Sequence, residues 1–204
     1  MDLQLVWLHA LEQVGAKNLH ANILADYWLT YIAPHWNEYG IAKSNLKAGL
    51  LPPLSGEAEN VWKNSNGAWI RSEIWACLAP GYPNIAVKYA IMDSCIDHGF
   101  AEGTYAEMFT AALESMAFFE SNIRILVEKA LTFIPEDCRV AHSIQTVLDC
   151  YDKNIPWDET RDRIVDENRD LGWFQVPGNL GFTVLGLIYG EGDFKRSLVY
   201  AVNC

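Results

Sequence analysis

Side chains able to do chemistry are concentrated between Asn66 and Phe119, a stretch reading NGAWIRSEIWACLAPGYPNIAVKYAIMDSCIDHGFAEGTYAEMFTAALESMAFF. Arg71 follows an Asn66-Gly67 turn and opens an aromatic-rich segment. A guanidinium there can hold a phosphate or orient a loop by donating to carbonyls; between Trp69 and Trp75 it serves equally well as a structural clamp. Glu73 comes two residues later and on a helix points roughly opposite Arg71, so the two do not share one ligand. It reads either as a catalytic acid or as part of a solvated face. His98 ends a helical pattern, where an imidazole either contacts a ribose or pyrophosphate or caps the last carbonyls. Asp93 and Asp97, four apart, have the spacing of a ligand pair, although two such acids on one face are ordinarily solvated. Gly99 and Gly103, with Thr104 and Tyr105, would present backbone N–H groups at a helix N-terminus, where pyrophosphate binds well, or form a plain capped turn. Tyr105 would stack on a base or ribose, or simply pack.

Other signatures are missing from the sequence. It has no HExxH, GxSxG, P-loop or GxGxxG, and its five histidines are too widely spaced to make a local metal cluster, so no metal ligand is assigned within the chain.

Helices must position these residues. Leu3, Leu5, Val6, Leu8, Leu11 and Val14 recur at helical spacing before Gly15, and Ile23, Leu24, Tyr27, Trp28, Tyr31 and Ile32 do so before Pro34. From Pro34 to Asn66 the pattern lapses into Gly, Pro and Asn, with one short helix over 41–48; a stretch of this kind is functional, mobile or an irregular surface cover. Pro83 suits the first turn of a helix running to Ile96, with Ile85, Ala86, Tyr89, Ala90 and Ile96 as its apolar face. Thr104 and Glu107 form a capping box for a helix over 105–119, whose Ala106, Ala111, Ala112 and Ala117 let neighbours approach closely. Further helices are expected over 123–133, over 138–151 with Asp137 as N-cap, over 157–171 and over 180–189, and a last one capped by Asp193. The short aromatic segment 173–176 could be a strand, though that is the less favoured reading. About ten helices and no convincing strand predict an all-α orthogonal bundle.

The totals narrow the function. With 204 residues, one domain over 1–204 is the default. Fifteen Lys and Arg against 26 Asp and Glu leave a formal charge of −11, which argues against a nucleic-acid partner or an anionic membrane surface. A small anionic ligand remains compatible, because helix N-termini and one arginine bind phosphate whatever the global field. Five cysteines without a CxxC pair, and an N-terminus MDLQLVWLHALE with an acidic second residue where a secretory leader has a basic flank, predict a reduced, cytoplasmic protein. No apolar run approaches the roughly 20 residues a membrane span needs.

Taken in order, the motifs resemble the ADP-ribosylglycohydrolase family (dinitrogenase-reductase-activating glycohydrolase-like): Asn66, Gly67 and Arg71, then Pro80-Gly81, then His98, then Gly103 and Tyr105. The similarity extends to Asn45-Leu46-Lys47-Ala48-Gly49 with Pro52-Pro53, and to Tyr189-Gly190 with Gly192-Asp193-Phe194. It implies the family's multi-helix bundle and a hydrolase that cleaves, with two magnesium ions, a glycosidic bond to ADP-ribose or a related nucleoside-type linkage. ADP-ribose-type small molecules or ADP-ribosylated proteins would be its partners. By the same resemblance Asn66, Gly67, Arg71, His98, Gly99, Gly103 and Tyr105 form the ligand cleft, and Glu73 is an acid in the run Ile-Arg-Ser-(Asp/Glu). The family's Thr-Asp-Asp-Thr and Asp-x-Asp-Thr metal motifs would fall just before Asp2 and just after Cys204. The expectation is therefore a piece of a longer hydrolase, with a catalytically inactive nucleotide-binding or structural module as the alternative.

Overall fold

Two apolar cores organise the chain, each built from the helical stripes visible in its sequence. The computed structural model describes residues 2–33 and 35–204, so the helix stop expected at Pro34 lies outside the described residues. The first core gathers Trp7 from α1 (Asp2–Val14), Leu24 and Trp28 from α2 (Ala21–Tyr31), Ala42 and Leu46 from α3 (Asn37–Lys47), and Ile74 and Trp75 from α5 (Glu73–Leu78). Between α3 and α5 lie a single turn of helix, α4 (Leu54–Glu57), and a 3-10 turn at Trp69–Arg71. The second core is formed by α7 (Glu102–Ala117), α8 (Ile123–Leu131), α9 (Arg139–Asp152), α10 (Trp157–Glu167) and α11 (Val176–Gly190), around Phe109, Ile144, Leu148, Ile164 and Leu180.

α6 (Pro83–Ser94) and α7 are the wall between the cores. Ala86, Ala90 and Ala111 face the first; Val87, Ala106, Phe109 and Ala112 face the second. Small side chains let the two helices lie close, as the alanine spacing predicts, although Ala117 is exposed. α12 (Phe194–Val202) packs on the outside of α11.

The fold is all-α, with no strand among the described residues; the candidate at 173–176 contributes only one antiparallel bridge, Ser65 to Gln175. Several local expectations hold. Pro83 opens α6, Gly15 follows α1 with φ 75°, and Asp193 caps α12 by accepting from the Arg196 amide at 2.7 Å.

Others need correction. α7 starts at Glu102 and no capping box forms: the Thr104 hydroxyl donates to the Gly99 carbonyl at 2.7 Å, while Glu107 turns into the core. The N-cap of α9 is Cys138, whose sulfur accepts from the Ala141 amide, and not Asp137. That end is completed by Glu102 of α7, whose carboxylate accepts from the Arg139 and Val140 amides at 2.9 Å each. α3 begins four residues earlier than the expected 41, and α10 ends at Glu167, short of 171. Leu5 and Leu8, expected on the apolar face of α1, are exposed; Trp7 and Ala10 take the inner positions.

Candidate functional site

The residues singled out around Asn66 converge on one buried polar cluster at the junction of the two cores. Arg71 leaves the 3-10 turn pointing inward and is 2% exposed. Its Nε donates to Asp93 at 3.0 Å, its Nη1 to the Gly67 carbonyl at 2.9 Å and to Asp97 Oδ2 at 3.1 Å, and its Nη2 lies 2.8 Å from both Asp97 Oδ1 and Asp93 Oδ1. The guanidinium also stands over the Trp28 ring, 5.5 Å from its centre, a favourable cation–π placement. Arg71 is therefore spent inside the protein, and the clamp is the reading its geometry carries.

Asp93 and Asp97 depart from the solvated pair that their spacing suggests. Both are fully buried, because the face of α6 on which Asp93 lies turns toward Trp7 and Trp75, whose indole N–H groups donate to Asp93 Oδ2 at 2.9 and 3.0 Å. Burial pushes Asp97 up, but the Arg71 charge, with His98 beside it, holds it down at about 2. Glu107 is the opposite case: burial and the neighbouring Asp93 charge raise it well above the usual carboxylate range, so it keeps its proton while accepting from Trp75 Nε1 at 3.1 Å. One arginine among four enclosed carboxyls, Asp93, Asp97, Glu107 and Glu38, leaves excess acid, and protonation is how a protein relieves it.

His98 is enclosed too. Its Nε2 lies 3.2 Å from the Ser65 hydroxyl and its Nδ1 2.9 Å from Asp97 Oδ1, so it joins the loop to the cluster and does not cap α6. Gly103 lies against the His98 ring, which occupies the space a Cβ would need, and its amide donates to the Lys63 carbonyl at 3.2 Å. That amide is thus committed within the protein. Gly99 (φ 58°) is buried against Glu57, whose Oε1 accepts from the Phe100 amide at 2.9 Å.

Three predicted residues reach solvent. Asn66 is half-buried, its Oδ1 accepting from Trp69 Nε1 at 3.1 Å. Tyr105 is also half-buried, one turn into α7. Glu73 is exposed and stands apart from the cluster, as its position opposite Arg71 predicts; its carboxylate accepts from Gln4 on α1 at 2.6 Å, and its charge acts on Glu114 of α7. Burial first, and the Glu73 charge second, push Glu114 up to about 8.

The Asn- and Gly-rich stretch before Asn66 is tied down by its own polar side chains. Asn45 donates to the Ser55 and Ala58 carbonyls, Ser55 to the Ile96 carbonyl, and Asn60 to the Gly56 and Asp97 carbonyls. Such side chains satisfy backbone that lacks a helix ladder. The Lys63–Ser65 segment then lies between the 98–103 turn and the start of α11, where the Val176 amide donates to the Asn64 carbonyl at 2.9 Å. Together these contacts make a rigid frame that presents Asn66 and its turn at the surface.

Reading the sequence missed Glu38, Ser65, Glu57 and Glu107 as members of this site. Only the tryptophans gave a signal, since a buried indole N–H needs an acceptor. Among the described residues no group of three His, Cys, Asp or Glu side chains is arranged to hold a metal ion, and no helix is long and apolar enough to cross a membrane.

Compared with protein families, the chain matches the ADP-ribosylglycohydrolase family model over residues 1–204. Comparison with curated proteins and with solved structures finds no match.

Proposed function

The chain belongs to the ADP-ribosylglycohydrolase family over its whole length, and from that premise we propose that it is a hydrolase cleaving a glycosidic bond to ADP-ribose or a related nucleoside-type linkage. The whole-chain family match is the observation that carries this reading. ADP-ribose-type small molecules or ADP-ribosylated proteins are its proposed partners, and its five free thiols suit a cytoplasmic setting.

Within this reading the roles of the residues follow from where they stand. Asn66 and Tyr105, both half-buried, would touch the ligand. Gly67, Gly99 and Gly103 let the backbone come close enough to fix that edge, while Arg71 and His98 orient it from behind. Glu73 is proposed as an acid only through the family run Ile-Arg-Ser-(Asp/Glu); it lies outside the buried cluster.

Magnesium is the cofactor the family implies. The carboxylates here do not fit a two-ion centre: Asp93 and Asp97 are both committed to Arg71, and Glu107 is driven toward its protonated form by burial and the Asp93 charge. No step is therefore derived through the metal. This commitment of the acids to arginine and indole groups also favours a second reading, a binding or structural module that keeps the fold without turnover.

Thermal unfolding with and without ADP-ribose, each with and without magnesium, tests the first reading. Ligand at 100 times its dissociation constant adds about 2.7 kcal/mol, a rise of roughly 5 to 10 °C for a domain of this size. Magnesium-dependent release of ADP-ribose from a modified protein would exclude the second reading. No thermal shift in any condition, together with no release, would overturn the first.

A further inference from the structure

The bend at Pro80-Gly81-Tyr82 takes no part in the buried cluster and is fixed instead to the far end of α7. The Gly81 amide donates to the Ser115 carbonyl at 2.7 Å, and the Ser115 hydroxyl donates back to the Ala79 carbonyl at 2.5 Å. Gly81 has φ 76° and lies against the Phe119 ring, where a Cβ would come within 2.6 Å of it. Bend and helix end are thus one rigid piece.

This piece exposes large apolar side chains. Tyr82 is 66% exposed, Ile85 46%, Phe118 53% and Phe119 81%. A groove of about 490 Å³ opens here, lined by Tyr82 and Phe119 with Pro80, Met116 and Leu126. Single exposed apolar residues need no explanation, but aromatics gathered round a groove on a rigid base have the make-up of an interface core.

Two charges also line the groove, Glu120 just after α7 and Lys129 on α8. The ion pairs of α8 are made by Arg124, with Glu128 and Asp152; among the described residues Lys129 makes none. Glu120 accepts only from the Asn122 amide next to it, at 2.8 Å. An apolar patch with one acid and one base is complementary to itself, because under a two-fold axis each copy's base meets the other's acid. A partner of one sign would match one of these charges and oppose the other. The four exposed side chains offer about 450 Å² per copy, at roughly 200 Å² for a whole aromatic. With the groove walls, two copies would bury on the order of 1,200 Å², the low end for a specific interface, so the pairing is a weak one.

We propose that this face pairs with a second copy of the chain, Tyr82 and Phe119 of each copy packing on the groove of the other and Lys129 of each facing Glu120 of the other. The inference is independent of the hydrolase reading. Tyr105 stands at the opposite end of α7, about 20 Å away at the rise of a helix, and stays outside the pair.

Sedimentation equilibrium of the full chain, from micromolar to millimolar concentration, tests the proposal. The wild type should associate to a dimer and no further, since a two-fold pairing closes. Phe119→Ala should weaken the dimer about tenfold. Lys129→Glu and Glu120→Lys each set like charges opposite one another and should each weaken it about tenfold, whereas the double variant Glu120→Lys/Lys129→Glu should dimerise as the wild type does. Mixed at a concentration where each alone is monomeric, the two single variants should pair with one another, which also shows that both are folded. A wild type that stays monomeric throughout overturns the proposal and gives the face to a different chain. A dimer that both charge reversals leave unchanged overturns it as well, by placing the contact elsewhere.

Discussion

Arg71 and Asp97, 26 residues apart in sequence, meet in a two-pronged pair with Nη2 to Oδ1 at 2.8 Å and Nη1 to Oδ2 at 3.1 Å, neither side chain exposed by more than 2%. With Asp93 on the other edge of the same guanidinium, the pair ties the turn before α5 to the last turn of α6 and to the turn that follows it. Removing one partner from an enclosed pair strands the other charge, which costs about 3–5 kcal/mol. Arg71→Ala should therefore lose about that much in urea unfolding, and Arg71→Lys a large part of it, since an ammonium cannot reproduce the fork. A loss under about 1 kcal/mol for Arg71→Ala would mean that the cluster rearranges around the gap.

Acid should attack the same pair. Asp97 is held at about 2 against an ordinary 3.8, so its folded pKa is depressed. The stability it contributes is present above the ordinary value and lost as pH falls through the folded one, a window from about pH 4 down to 2 worth about 2 kcal/mol. Asp97→Asn should start less stable at neutral pH and lose less across that window. Equal acid slopes for the two proteins would show that Asp97 is not the group responsible.

How much of this was legible depended on range along the chain. Pro83, Gly15 and Asp193 act on residues within four positions of themselves, so their roles could be read directly. The carboxylate that completes the start of α9 could not, because it comes from Glu102, 37 residues away on another helix. Asp93 and Asp97 show the same limit from the other side. Their spacing places them on one face but cannot say which way the face turns; Trp7, Trp75 and Arg71, distant in sequence, decide that. Family resemblance singled out Arg71 and His98, and the structure places both beneath the surface.

The remote cap makes its own prediction. Glu102 satisfies two amides at the start of α9, which would otherwise be orphan donors facing a helix dipole. Glu102→Ala should cost about 1–2 kcal/mol, with hydrogen exchange accelerated at Arg139 and Val140 more than in the middle of α9. Uniform exchange along the helix would assign the loss to general destabilisation instead.

Two glycines separate close packing from an ordinary turn. A Cβ at Gly103 would meet the His98 ring and the Lys63 carbonyl, whereas one at Gly172 meets nothing within 4 Å. Gly103→Ala should cost about 1–3 kcal/mol, as overpacking does, and Gly172→Ala should stay within about 0.5 kcal/mol of wild type. If Gly103→Ala were as stable as Gly172→Ala, the packing of His98 against α7 would be loose, and its use as a fixed support for the Asn66 edge would fail.

Glu114 offers a test away from the cluster. Its carboxyl is raised to about 8, first by burial and then by Glu73, while the Ser72 hydroxyl pulls weakly the other way at 3.1 Å. A raised carboxyl contributes stability that is full below its unfolded value near 4.5 and is lost as pH rises through the folded value. The wild type should thus lose stability between about pH 4.5 and 8, and Glu114→Gln should flatten that limb. Glu73→Gln removes the neighbouring charge but not the burial, so it should move the limb to lower pH without abolishing it. Carboxyl-carbon NMR of Glu114 in both backgrounds separates the two causes: an unmoved titration in Glu73→Gln would leave burial as the whole reason, and Glu73 would then have no electrical hold on Glu114.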